Sequence, residues 1–482
     1  MEVLSTACPP FMVQRREPEF IAPSKPTPHE FKYLSDIDDR KGHRFRIPVI
    51  FFYPSKNDAS TASTCKRGDP VDVIRKALAK VLVLYYPLAG RLREAPGGKL
   101  IVECTGEGVM FIEADADVCL SQLGGGDALK PPFPCLEELL YVPPGYQDIL
   151  NSPLLFIQVT RLKCGGFIFG VQFNHTIFGG QGLYQFTLAL AEIARGEVVS
   201  PSNLPVWQRH ILNARDPPQV TFAHREYDVI MSDNNNNTLP LLIPQDMVYR
   251  YFLFTPKEVG ALRGQLPVHL QRCTAFELLT ACLWRCRTVA TGSDSNARVR
   301  VVMAVDARGK IDPPLPTGYY GNTVAYPVAV STAWKLRHNP LGFAVDLVKR
   351  AKSEVNEEYI RSTADLMAIK GRPIISTEGT YFISDLRKTP DEELDFGWGK
   401  ELYGGHAIGS RCPVLWMASF YISYRNNKGD QGILVPVCLP RLAMNKFVVE
   451  IKSITTNIKP SVQPLQTKTS QLKSLIYRKS AL

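Results

Sequence analysis

The chain has 482 residues, 45% of them apolar and 21% charged, with a formal net charge of +10 at pH 7. That length exceeds one ordinary core and suits two domains of roughly 200 residues each, and no run of about 18 uncharged apolar residues marks a transmembrane helix. The basic residues are spread along the chain rather than gathered in a stripe with interleaved aromatics, which argues against a nucleic-acid binder and leaves an anionic small molecule or ordinary surface charge to account for the excess.

In chain order, Met1 to Phe11 lacks the basic end and apolar stretch of a secretory signal. Pro23, Pro26 and Pro28 keep the first 50 residues extended. Ile47–Tyr53 is rich in aromatic and β-branched residues and reads as a buried strand, followed by a polar loop over Ser55–Asp69. Val71–Leu84 is a helix, because Ile74, Ala77, Leu78, Val81 and Leu82 make one apolar stripe, and Pro87 stops it. Gly97-Gly98 is a turn into a strand over Lys99–Cys104. Leu154–Leu162 and Phe167–Phe173 form a hairpin through Lys163-Cys164-Gly165-Gly166. A helix from about Leu183 to Arg195 follows, with Gly196 as its cap. These pieces make a first domain over residues 1–198. Residues 199–247 form a crossover with a polar tip at Asn234–Asn237.

The second domain, residues 248–482, opens with a short helix over Lys257–Gln265. Thr274 and Glu277 then make a capping box for a helix running through Trp284. A strand over Arg298–Val305, a turn over Gly318–Asn322 and one amphipathic helix over Ala344–Tyr359 come next, then strands over Val414–Tyr424 and Gly432–Cys438. The alternation of strands and helices in both halves makes the class α/β or mixed α+β.

The 11 cysteines are scattered singly with no Cys-x-x-Cys pair, so neither a disulfide framework nor a metal site is expected, and a reducing compartment fits. Among the eight histidines, His175 stands apart: it ends a buried strand and precedes a glycine-rich turn into a helix. An imidazole there could take a proton from a substrate hydroxyl, or be a hydrogen-bonded structural residue. Gly179-Gly180-x-Gly182 opens a helix and could cradle a phosphate, although a tight packing turn explains it as well. In Asp395-Phe396-Gly397-Trp398-Gly399 a tryptophan stands between two glycines; its indole N–H could stabilise an oxyanion, or the ring could be core. No Gly-x-Ser-x-Gly elbow is present, so a serine hydrolase lacks its signature.

Taken together these segments resemble the BAHD family of plant acyl-CoA-dependent acyltransferases. The likeness rests on Tyr85 to Leu92 (YYPLAGRL), His175 to Gly180, Pro205-Val206-Trp207 with Ala214 to Pro218, Thr274 to Glu277, Tyr320-Gly321-Asn322 and Asp395 to Gly399. Their common order is far more specific than any one of them. Ile21–Asp38 and Tyr381–Gly405 look most like the branch of benzyl alcohol benzoyltransferases and volatile-ester alcohol acyltransferases. The resemblance implies two similar domains, each a mixed sheet flanked by helices, with a solvent channel at their interface. It implies acyl-CoA as co-substrate (benzoyl or acetyl favoured), a small alcohol as acceptor, no permanently bound cofactor, no metal and a monomer. His175 is then the general base and Trp398 the oxyanion donor. Thr274, Ser384 and Asp385 are candidates for contact with the coenzyme, and Gly180, Asp395, Gly397 and Gly399 support the site.

One departure stands out. The family carries aspartate where this chain has Gly179. That aspartate resembles a structural brace paired with an arginine, so its loss would orphan a buried arginine, for which Arg308 is the candidate. A non-catalytic binder of acyl-CoA, or an N-acyltransferase, are the alternatives. The cytoplasm is the expected location; Ser480-Ala481-Leu482 is a weak match to a peroxisomal address.

Overall fold

The computed structural model describes residues 11–55, 68–123, 129, 133, 136–196, 200–228, 246–387, 394–407, 417–425 and 429–456. Most of the Ser55–Asp69 loop, the Asn234–Asn237 tip and the Ser480-Ala481-Leu482 terminus lie outside the described residues.

The first half runs β1 (Val13–Arg15), β2 (Glu19–Ile21), β3 (Phe31–Tyr33), β4 (Arg46–Tyr53) and α1 (Pro70–Leu84). It continues with β5 (Arg91–Glu94), β6 (Leu100–Glu103), β7 (Val109–Ala116), α2 (Leu136–Leu139), β8 (Leu155–Leu162), β9 (Phe167–Asn174) and α3 (Gly180–Arg195). The second half opens with β10 (Met247–Phe254), α4 (Pro256–Gly264), α5 (Ala275–Thr291), β11 (Arg298–Asp306), β12 (Val324–Ala325) and β13 (Val328–Thr332). Three helices follow, α6 (Ala333–His338), α7 (Leu341–Ser353) and α8 (Glu357–Ile369). The last elements are β14 (Thr380–Asp385), β15 (Tyr403–His406), β16 (Ala418–Arg425), β17 (Gln431–Pro440) and α9 (Arg441–Thr456).

Two mixed sheets of seven strands organise most of these elements, and β3, β6 and β5 form a separate three-stranded sheet. The first has the order β1-β7-β8-β9-β4-β15, with β2 also on β7; the second has the order β10-β17-β16-β14-β11-β12, with β13 also on β11. Strands β4 and β9 are buried on both faces, which is why both read as continuous apolar runs rather than alternating ones. They pair antiparallel from Arg46↔Asn174 to Tyr53↔Phe167. Helices α1 and α3 cover one face of the first sheet, burying Ile74, Leu78, Val81, Leu183, Phe186 and Leu190 in one core. In the second half α5, α7 and α9 cover β10, β11 and β17, with Trp284, Val301 and Phe447 at the centre of that core. No helix among the described residues is long and apolar enough to cross a membrane.

Two expectations change. The helix expected over Ala344–Tyr359 is two helices, α7 and α8. Asn356 breaks it: its backbone is extended, and its side-chain oxygen accepts from the Tyr359 N–H at 2.9 Å to start α8 afresh. The second domain is also not confined to its own sheet. Residues 394–407 cross to the first half, where β15 pairs with β4 from Tyr403↔Phe52 to His406↔Val49. Gly404 permits that pairing, since a Cβ there would lie 2.6 Å from the Phe51 ring. The crossing is anchored by Phe396, whose ring packs on Phe169 and edge-on to Tyr53 at centroid distances of 5.0 and 5.5 Å.

Phe396→Ala is expected to cost about 3–5 kcal/mol, read as a lowered midpoint of chemical unfolding. A loss under about 1 kcal/mol would show that this ring does not anchor the crossing segment.

Candidate active site

Strand β9 ends at Asn174, and the chain turns through residues 175–179 before α3 begins. The turn is local: Asn174 Oδ1 accepts from the Thr176 N–H at 3.0 Å and from its hydroxyl at 2.7 Å. The His175 N–H donates to the carbonyl of Phe45 at 3.0 Å, tying the turn to the start of β4. His175 Nδ1 lies 3.3 Å from the carbonyl oxygen of Phe178. A carbonyl only accepts, so Nδ1 carries the proton and Nε2 keeps its lone pair. Burial pushes the pKa of His175 down to about 4, against the opposing pull of the Phe178 carbonyl. The ring is therefore neutral near pH 7, the state a general base requires.

A buried network holds this turn from behind. Asp38 is fully buried, and one of its oxygens accepts from the Asn322 backbone N–H at 2.8 Å and from its side-chain amide at 3.0 Å. The same Asn322 amide donates to the carbonyl of His175 at 2.8 Å. The other Asp38 oxygen accepts from the Ser35 hydroxyl at 2.6 Å and stands 2.8 Å from Arg209 Nη1. Arg209 Nη2 donates in turn to the carbonyl of Ile177 at 2.8 Å. Burial works against the Arg209 charge, but Asp38 overcomes it and raises the guanidinium's pKa. Asp38 thus grips residues 175 and 177 through two different intermediaries.

In front of His175 lies a cavity of about 230 Å3 between the two sheets. Its wall is mainly apolar, with Phe45, Val49, Leu183, Ile374, Phe382 and Phe420 among the lining residues. His43 stacks on His175 with ring centroids 4.3 Å apart, and Phe45 meets it edge-on at 5.7 Å. His43 Nδ1 sits 3.3 Å from the Asp38 carbonyl, which leaves Nε2 to accept from the Tyr326 hydroxyl at 2.8 Å. His406, from β15 of the first sheet, also lines the cavity, its ring stacked on Phe420 of β16 at 4.5 Å, and burial pushes its pKa down to about 4.

The expected site residues divide into those on the cavity and those away from it. His175, Gly179, Gly180 and Ser384 line it. Trp398 does not, and its expected role as oxyanion donor is corrected: the ring is 4% exposed and packs edge-on to Phe167 at 5.4 Å. Phe167 begins β9 and His175 follows its end, so the two are separated by roughly 25 Å of strand. Asp395 holds that remote turn, accepting from the N–H groups of Gly397 and Gly399 at 2.5 and 2.8 Å, where both glycines have positive φ. Thr274 caps α5 by accepting from the Glu277 N–H at 3.2 Å, and Asp385 is engaged by Arg387 at 2.7 Å, so neither is brought to the cavity with Ser384.

Arg308 is not the orphan expected from the missing aspartate. It donates to the carbonyl of Gly321 at 3.2 Å and faces Asp306 at 3.5 Å, although its Nε finds no partner among the described residues. A Cβ at Gly179 would lie 2.9 Å from Asn322 Oδ1. The space a larger residue would need at 179 is taken by Asn322, the residue that carries the grip of Asp38 to His175. Asp38, Arg209, His43 and His406 were not singled out from the sequence. Of these only Asp38 lies in a conspicuous run, Asp36-x-Asp38-Asp39-Arg40, and that run by itself does not say which of its charges is buried.

The Transferase family model matches residues 11–454. A benzyl alcohol O-benzoyltransferase from Petunia hybrida is 56% identical over 444 residues, covering 92% of this chain and 94% of the relative. Its counterpart from Nicotiana tabacum is 56% identical over 92% of this chain and 93% of the relative. An alcohol acyl transferase 1 (allele GSd) of Malus domestica is 49% identical over 93% and 95%. Among solved structures, vinorine synthase superposes with a TM-score of 0.67 at 23% identity, covering 92% of this chain and 98% of that one, a likeness of fold.

Asp38→Asn is expected to destabilise the protein by about 3–5 kcal/mol, because it leaves the Arg209 charge buried without its counter-ion. Turnover should fall with it. Wild-type stability in this variant would remove the network from the account of the turn. Trp398→Phe, by contrast, is expected to lower the melting temperature while leaving kcat/KM within about threefold; a hundredfold loss of kcat would return Trp398 to the chemistry.

Proposed function

The chain belongs to the Transferase family, the BAHD acyltransferases, and from that membership we propose that it moves an acyl group from acyl-CoA to the hydroxyl of a small alcohol, with benzoyl-CoA and benzyl alcohol as the favoured pair and His175 as the general base. One observation carries the reading: a neutral imidazole whose Nε2 keeps its lone pair, with no partner among the described residues, stands on an apolar cavity. An alcohol is far too weak an acid to ionise in water. His175 Nε2 takes its proton as the oxygen attacks the thioester carbonyl. The C–O bond forms, the carbonyl electrons move to oxygen, and the tetrahedral intermediate collapses by breaking the C–S bond. The protonated His175 returns its proton to the departing thiolate. No residue is acylated.

The choice of benzoyl and benzyl groups draws support from the names of the Petunia and tobacco relatives and from the cavity's aromatic and aliphatic wall. With Trp398 remote and the Tyr326 hydroxyl committed to His43, the side-chain hydroxyls on the wall that could meet a developing oxyanion are those of Thr377 and Ser384.

The test is release of free thiol from benzoyl-CoA or acetyl-CoA with benzyl alcohol and short alcohols. His175→Ala is expected to lose roughly two to four powers of ten in kcat; an undiminished rate would end the reading. The His175 pKa of about 4 sets the acid limb. The base is unprotonated above that value, so kcat/KM should stay level from pH 8 down to about 5.5 and fall only as pH approaches 4. A limb centred near pH 6.5 would show an imidazole open to water.

A further inference from the structure

Strand pairing sets His406 at a fixed remove from His175 on one face of the first sheet. Arg46 pairs with Asn174 and Ile47 with Phe173, and the His175 N–H donates to the carbonyl of Phe45, so His175 lies opposite Phe45 at the start of β4. On the other side of β4, His406 pairs with Val49. Side chains alternate along a strand, so those of Phe45, Ile47 and Val49 leave one face, and their partners His175, Phe173 and His406 leave the same one. All six line the cavity. They make a trough that starts at His175, has Phe45, Ile47 and Val49 as its floor, and ends at His406. On the backbone its two ends are about 13 Å apart along the strands and about 10 Å apart across them. The far end is closed from the second sheet. Phe420 of β16 lines the cavity and stacks on His406, with ring centroids 4.5 Å apart and planes 26° apart. Burial keeps His406 neutral, so the two rings meet as an aromatic pair rather than as a cation on a ring.

We propose that His406 and Phe420 form the end wall against which the aryl group of one of the two substrates stops, and that this wall sets how long a group the enzyme accepts there. The inference rests on the acyltransferase reading above. The reacting atoms lie at His175, and the diagonal span to His406, less the reach of the two side chains, suits one aromatic ring and its reacting group. The apolar floor takes the ring out of water, and the aromatic wall offers it a face or an edge to pack on. A longer group would have to push apart two rings held by different sheets, which close packing resists. Benzoyl and benzyl groups both end in such a ring, so either substrate can supply it.

Selectivity for length decides the proposal, and two kinetic arms assign the source. In one arm benzyl alcohol is offered 4-propylbenzoyl-CoA against benzoyl-CoA. In the other, benzoyl-CoA is offered 4-propylbenzyl alcohol against benzyl alcohol. The ratio of kcat/KM for the propyl over the plain substrate is measured for the wild type, His406→Ala and Phe420→Ala. Both variants are expected to raise that ratio roughly tenfold or more in one arm, the same arm for both, and to leave it within about threefold in the other. A ratio unmoved in both arms overturns the wall. So does an equal rise in both arms, which is a general loosening of the cavity, and so do variants that act in different arms. If one variant does not fold, the other decides. If no pair turns over, the acyltransferase reading fails separately, and calorimetry with 4-propylbenzoyl-CoA and 4-propylbenzyl alcohol decides the wall. It stands if one of the two binds His406→Ala roughly tenfold more tightly than wild type, and falls if neither does.

Discussion

The turn that presents His175 depends on one buried ion pair. Asp38 and Arg209 stand 2.8 Å apart at 0% and 1% side-chain exposure, where an unpaired charge would be intolerable. Each then reaches the turn at a different point, Asp38 through Asn322 to the carbonyl of residue 175, and Arg209 directly to that of residue 177. The pair also joins three stretches distant in sequence: the extended N-terminal segment, the crossover and the Tyr320-Gly321-Asn322 turn. A carboxylate within the 175–179 turn would duplicate part of this and would have to displace Asn322. Gly179 is thus compatible with a rigid turn because the negative charge is supplied from elsewhere.

Rigidity behind the histidine is matched by a mainly apolar wall in front of it. An imidazole whose Nδ1 is pinned by a backbone carbonyl can direct only Nε2 into the cavity. Stacked His43, pinned in the same manner, offers its Nε2 to Tyr326 instead. Two histidines side by side in an apolar setting cannot both hold a proton, and burial lowers the pKa of each. Neutrality of the base is thereby a property of the packing rather than of any single neighbour. Low polarity around it strengthens every interaction with charge that develops during the reaction.

Much of the fold was legible in the sequence because its central elements have simple periodicities. The apolar run of β4, the stripe of α1, the β8–β9 hairpin and the Thr274 capping box all fall within a few residues of their expected bounds. The helix over Ala344–Tyr359 was misread because the apolar stripe continues through Val355, and the break comes from one side-chain oxygen at Asn356. His175 was legible from its place at a strand end. Asp38, Arg209 and His43 were not, since their meaning lies in partners far along the chain, and no local pattern marks a polar residue that will be buried rather than solvated.

The misassignment of Trp398 has a different cause. A tryptophan flanked by glycines reads equally as a ring brought close to a ligand or as a ring brought close to the core. What separates the two is where the segment lands. Phe396 and Trp398 are the apolar contacts that let residues 394–407 leave the second sheet and extend the first. That same crossing places His406 on the cavity wall, on a strand of the sheet whose β9 leads to His175. The Asp395 to Gly399 turn therefore bears on the site indirectly. It closes the first sheet with a strand from the second half, and the cavity between the sheets takes part of its wall from that strand.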